Sequence, residues 1–201
     1  MRAADIEGGF ASPVLDSQAT FNAVMRAMAE PGTIQAVDRE VSPPAALNPA
    51  AAAVALSLCD QETLVWLDAG LANTKGIDVW LSFHSGATVT SDPAQAQFLV
   101  VADPAKLPAF GSLAQGTQEY PDRSTTIILQ VVSLDSGHQL TLSGPGIKGE
   151  TPLSPQPMPD EFVRQWSENN AQFPCGVDLI LAAPDAIACL PRTTRIHVQE
   201  G

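Results

Sequence analysis

Apolar residues recur at helical spacing at Phe21, Val24, Met25 and Met28, with Asp16 or Ser17 placed to cap a helix and Pro31-Gly32 placed to end it. Thr33 to Val37 alternates weakly, as a short strand does, before Pro43-Pro44 breaks regularity. Asn48-Pro49 supplies an N-cap and a first-turn proline, and Ala50 to Leu58 is apolar on every side, which predicts a buried helix. Thr63 to Leu67 then reads as a strand. Lys75 to Phe83 places Ile77, Leu81 and His84 on one helical face and predicts a helix, although Val79 and Phe83 would also suit a strand.

Gln97 to Ala102 is a short apolar run between Asp92-Pro93 and Asp103-Pro104, the pattern of a buried strand. A brief helix is expected within Leu107 to Leu113. Thr125 to Leu134 is rich in β-branched residues, and Asp135-Ser136-Gly137-His138 turns it toward Gln139 to Leu142, predicting a hairpin. Five prolines and three glycines between Gly144 and Pro159 exclude a regular element there. Helical periodicity resumes from Pro159 to Ala171 through Phe162, Val163 and Trp166, and Phe173-Pro174 breaks it. Val177 to Ala182, Ile187 to Leu190 and Thr194 to Val198 read as closing strands. Helices interspersed with crossover and hairpin strands define an α/β fold with a mixed β-sheet flanked by helices.

At 201 residues the chain is expected to form a single domain over 1–201, long enough to bury a core without staples. The three cysteines, Cys59, Cys175 and Cys189, are odd in number and lack CxxC spacing, as expected of reduced thiols in a cytoplasmic protein. Asp5 and Glu7 stand where a signal peptide would need a basic start, and the longest apolar stretch, Ala50 to Leu58, is too short to span a bilayer, so no membrane partner is expected. A formal charge of -12 argues against nucleic acid as a partner. Only 16% of residues are charged while 45% are hydrophobic, which suits buried interfaces, or simply an alanine-rich composition.

Gly144-Pro145-Gly146-Ile147-Lys148-Gly149 fits GxGxxG, but Pro152, Pro155, Pro157 and Pro159 forbid the helix that a pyrophosphate needs behind those glycines. An irregular surface turn is the simpler reading, and a phosphate clamp through Lys148 the sharper one. His84, His138 and His197 lack ligand-spaced partners, so no metal site is expected. His84, in Leu81-Ser82-Phe83-His84-Ser85-Gly86, is either a buried histidine satisfied by backbone or a polar contact in a cleft. GxSxG is absent, and Cys175 and Cys189 have no nearby histidine, so the cysteines read as small core residues. Asp178 in an apolar strand needs a partner, which Arg192 or Arg195 can supply. Those arginines can equally hold a phosphate or carboxylate, and a structural ion pair is preferred.

Gly9-Phe10 to Pro13-Val14, Gln18 to Gly32, Leu64 to Leu67, Leu81 to Gly86, Ile128 to Val131, Ser143 to Ile147, Phe173-Pro174-Cys175-Gly176-Val177-Asp178-Leu179-Ile180-Leu181 and Leu190-Pro191-Arg192-Thr193-Thr194 resemble the PhnH family along most of the chain. Cys175 stands where leucine is expected. The resemblance implies a subunit of the carbon-phosphorus lyase machinery, acting with PhnG, PhnI and PhnJ and forming a homodimer when alone. It implies a fold resembling the large domain of PLP-dependent transferases, without PLP. In that family the complex displaces adenine from MgATP with an alkylphosphonate, giving ribose 1-alkylphosphonate 5-triphosphate. No cofactor is expected on this chain, MgATP being substrate of the complex, and none of Lys75, Lys106 or Lys148 sits in a Schiff-base context. Its own catalytic residues are expected to be none. Arg192 and Arg195, then His84 and Lys148, with Asp178, are the candidate phosphate or interface contacts. The alternative is a stand-alone phosphate- or nucleotide-binding enzyme with a cleft near His84 and Arg192.

Overall fold

The computed structural model describes residues 6–37 and 40–197. The first helix, α1 (Pro13–Ala29), starts a turn earlier than the apolar spacing predicts. Ser12 stands at its N-cap with Pro13 behind it, and the Asp16 carboxylate accepts the Ser12 N–H at 2.8 Å, which closes the first turn. The short strand β1 (Gln35–Ala36) follows, then α2 (Pro49–Leu58). As its sequence indicates, Asn48 caps α2 by accepting the Ala51 N–H at 2.7 Å, and Ala50 to Ala55 are all buried.

Strand β2 (Leu64–Leu67) leads into two helices, α3 (Ala69–Ala72) and α4 (Ile77–Ser85), and then strand β3 (Thr88–Thr90). The choice between helix and strand over Lys75 to Phe83 thus falls to helix, with Ile77, Trp80 and Leu81 inward. Strands β4 (Phe98–Val101) and β5 (Thr126–Gln130) follow, and the brief helix expected before β5 is a single 3-10 turn, Phe110–Ser112. The chain continues through β6 (Leu140–Ser143), β7 (Thr151–Leu153), α5 (Phe162–Asn170), β8 (Asp178–Ala182), β9 (Ala186–Leu190) and β10 (Arg195–His197). Val198, expected in the last strand, and Asp5 lie outside the described residues.

Seven strands form one mixed sheet in the order β1-β9-β8-β5-β4-β2-β3, parallel from β8 to β3 and antiparallel at β9 and β1. Alternate residues of each central strand enter opposite cores. Ile128, Ile180 and Val100 pack with α1, α2 and α4, whereas Ile127, Leu129, Leu179 and Leu181 pack with α5 and the 3-10 turn. Burial on both faces explains the continuous apolar runs at β4, β5 and β8.

The hairpin expected from β5 to β6 does not form. Both edges of β5 are taken by β4 and β8, so β6 pairs instead in a second sheet, ordered β10-β6-β7, whose leucines Leu140, Leu142 and Leu153 close the second core. The Gly144 to Pro159 stretch, expected to hold no regular element, contributes β7. Pro152 fits there because β7 is an edge strand and needs no donor on its outer side. Among the described residues, no helix is long and apolar enough to cross a membrane.

Cys59 and Cys189 are buried in the first core. Burial first, and then the neighbouring Asp60 charge, pushes the Cys59 thiol up to about 12. Burial and the Asp178 charge push Cys189 up as well. The unfolded thiols ionise first as pH rises, so the unfolded state binds fewer protons above pH 9 and stability falls from there upward. Urea unfolding followed between pH 8 and 10.5 is expected to show that fall, and a Cys59→Ala variant to flatten it. In the native chain at pH 8, a thiol reagent is expected to label at most Cys175.

Candidate functional site

Strand β8 starts at Asp178 and β9 ends at Leu190, and their antiparallel register pairs Leu179 with Leu190. The chain beyond β9 therefore turns back beside the Asp178 carboxylate, and Arg192 meets it there. Arg192 Nε donates to Asp178 Oδ1 at 3.1 Å, and Nη2 donates to Asp178 Oδ2. The Arg192 backbone N–H also donates to Oδ1, at 2.8 Å. Nη2 donates further to Ser124 Oγ at 2.5 Å, and Nη1 donates to the carbonyls of Pro121 at 2.9 Å and Pro174 at 3.2 Å. A guanidinium has five N–H donors, and here each has an acceptor inside the protein. The side chains are only 12% (Arg192) and 21% (Asp178) exposed. The preferred ion pair is present, formed by Arg192 and not by Arg195, and no donor is left for a phosphate.

Helix α5 holds the two segments that make this pair. Trp166 Nε1 donates to the Thr194 carbonyl at 2.8 Å and Asn170 Nδ2 to the Arg192 carbonyl at 2.8 Å. Buried Asn169 satisfies both backbone groups of Val177, accepting its N–H at 2.8 Å and donating to its carbonyl at 2.9 Å. Gly176, at φ +122°, lies so close that an added Cβ would sit 2.8 Å from Asn169 Oδ1.

The other candidates do not join this cluster. His84 sits at the C-terminal end of α4, beside edge strand β3, with β2, β4 and β5 between that strand and β8, where Arg192 meets Asp178. Its Nε2 is 2.9 Å from the Ile6 carbonyl, which can only accept, so Nε2 carries the proton. Its ring packs on Trp80, whose Nε1 donates to the Glu7 carbonyl at 2.8 Å. An added Cβ on Gly9 would lie 2.4 Å from the His84 ring. His84 is thus a half-buried histidine satisfied by backbone, and it straps the segment from Ile6 to Phe10 onto α4. Lys148 is exposed in the loop between β6 and β7, where Gly144 to Gly149 turns with no helix behind it. Arg195 is exposed on β10, directly across from Ser143. No ion-pair partner stands near either cation among the described residues.

Two polar arrangements escape the sequence reading. The first is Ser143 Oγ, 2.9 Å from His197 Nε2 across the β6–β10 pair. Strand register alone creates it, and 54 residues of separation hide it. The second is Asp68, fully buried after β2, whose carboxylate accepts the N–H groups of Leu71, Ala102 and Asp103 at 2.7–2.9 Å. An aspartate directly after an apolar strand is an N-cap signal that would have found it. Asp68 caps α3 and joins the ends of β2 and β4, so it is structural. Among the described residues, no three His, Cys, Asp or Glu side chains converge as metal ligands.

Residues 8–197 match the family described as "Bacterial phosphonate metabolism protein (PhnH)". Over 190 residues, 94% of each chain, the sequence is 43% identical to the alpha-D-ribose 1-methylphosphonate 5-triphosphate synthase subunit PhnH of Rhizobium meliloti (strain 1021). Over 115 residues, 55% of this chain and 56% of the relative, it is 38% identical to a putative C-P lyase subunit protein, HtxG, of Stutzerimonas stutzeri.

Removing one partner of the clamp leaves the other charged and partly buried, which costs about 3 kcal/mol. Arg192→Ala is therefore expected to lower the denaturant midpoint strongly, and Arg192→Lys to recover little, because an ammonium offers three donors where five are used. Gly9→Ala is expected to destabilise the chain by displacing the His84 ring, and to do so by much less in a His84→Ala background, a coupling that a double-mutant cycle measures.

Proposed function

The chain belongs to the PhnH family, and from that membership we propose that it is the corresponding subunit of the carbon-phosphorus lyase system, supporting ribose 1-alkylphosphonate 5-triphosphate formation in organophosphonate catabolism. The observation that carries this reading is 43% identity, spread over 94% of both chains, to a subunit of that synthase. The reaction assigned to the assembly joins a phosphonate oxygen to C1′ of the ribose of MgATP as the glycosidic bond to adenine breaks. MgATP is a substrate of the assembly, and in this reading the chain holds no cofactor of its own. It acts as one cytoplasmic domain over 1–201, with a fold like the large domain of PLP-dependent transferases but without PLP. PhnG, PhnI and PhnJ are its partners, and it pairs with itself when they are absent.

The chemistry of the candidate residues favours a supporting role over a catalytic one. The donors of Arg192 are spent within the fold, and His84 is turned to the Ile6 carbonyl. These two residues stand at different strands of the sheet, so the stand-alone enzyme with a shared cleft gains no support from their placement. Of the candidate residues, Arg195 and Lys148 are the ones whose donors are open to a phosphate or an acidic surface of a partner.

Co-expression of the tagged chain with PhnG, PhnI and PhnJ is expected to yield a stable heteromer, read as the mass of the copurifying species. Purification of the chain as its own dimer only, while the other three assemble without it, would overturn the reading. So would adenine release from MgATP and an alkylphosphonate by the chain alone.

A further inference from the structure

The Arg192 clamp also shapes a surface. Its Nη1 donates to the carbonyls of Pro121 and Pro174, which belong to two loops separated by more than fifty residues, and so it fixes the distance between them. Between these loops lies an open groove of about 400 Å³ lined by Pro121, Asp122, Phe173, Pro174, Pro191 and Thr193, with the Asp178–Arg192 pair as its floor. The lining is almost wholly apolar. Phe173 stands 61% exposed at its lip, on a segment anchored behind by Asn169 and Gly176. The bonds from Asn169 to the Val177 backbone brace the stretch four residues beyond this phenylalanine. A rigid aromatic beside a preformed apolar groove has the makeup of an interface hot spot.

Charge indicates what the groove accepts. Asp178 is neutralised by Arg192, whereas Asp122 is exposed and has no ion-pair partner among the described residues. The groove is therefore apolar with one uncompensated negative charge at its rim, on a chain whose formal net charge is -12. Resting on the subunit reading above, we infer that this groove docks an extended segment of another subunit of the assembly, one that places an apolar side chain against Phe173 and Pro174 and a lysine or arginine against Asp122. The acidic net charge steers such a segment in, and the groove holds it.

The test is the affinity of the purified chain for the assembly formed by the remaining subunits, measured by biolayer interferometry. Phe173→Ala is expected to weaken binding about thirty-fold or more. Its melting temperature is expected to stay at the wild-type value, because the side chain is exposed. Asp122→Lys is expected to weaken binding about ten-fold at low salt, with the difference closing as ionic strength rises. Wild-type affinity in both groove variants would overturn the docking site while leaving family function intact. Failure of the wild-type chain to bind at all would overturn the subunit reading, and the docking site with it. A change confined to self-association in Phe173→Ala would make the groove an interface between copies of this chain and overturn the heteromeric assignment.

Discussion

The guanidinium of Arg192, with every donor engaged, is the constraint on which the entry into the central strands β5 and β8 depends. It meets the start of β8 through Asp178, the approach to β5 through Ser124, and two proline loops through their carbonyls. A buried ion pair seldom stabilises a fold more than well-packed apolar residues of the same volume would. Its contribution here is geometric. A planar fork with five directed donors accepts only one arrangement of its surroundings, so it sets where the stretches 121–124 and 174–178 stand relative to one another and to its own turn after β9. The Arg192 backbone N–H adds a second bond to Asp178 Oδ1, so the same residue holds the carboxylate through both its side chain and its main chain.

The same logic of satisfied polar groups recurs wherever chain segments distant in sequence must meet. Asn169 mimics a backbone partner for Val177, Trp166 and Asn170 hold the turn after β9, and Asp68 ties the end of β2 to the end of β4. At the other end of the sheet, Trp80 and His84 bind the carbonyls of Glu7 and Ile6 and press the segment before α1 onto α4. Buried donors and acceptors are costly when unpaired, so each of these bonds protects a junction. A chain that turns its arginine and its half-buried histidine inward keeps its outer surface for contact, which is what a subunit needs.

Much of the architecture is legible in the sequence. Asn48-Pro49 announced α2, and the doubly buried runs at Leu99 to Val101, Ile127 to Leu129 and Leu179 to Leu181 announced the central strands, because local capping and side-chain hydrophobicity suffice to specify them. The ion pair of Asp178 was legible in kind, since a carboxylate in an apolar strand demands a cation. Its partner was not, because Arg192 and Arg195 are close enough in sequence for either to serve. The β5–β6 hairpin that the turn residues suggest is absent for a similar reason. Good turn residues at Asp135 to His138 describe a bend, and whether two strands pair across it depends on whether an edge is vacant.

Local sequence specifies the longer helices α1, α2, α4 and α5, the buried central strands, the isolation of the histidines and cysteines from ligand-like spacing, and the likeness to a family, but not β3, α3 or β7. All of these rest on interactions within a few residues or on hydrophobicity summed along a strand. Tertiary structure alone decided that Arg192 closes on Asp178, that β6 joins β10 and β7, that Ser143 meets His197, and that Phe173 stands braced at the lip of a groove. Each of those outcomes depends on which edges and donors are still unoccupied once the rest of the chain has packed, and that competition is not local to any segment of the sequence.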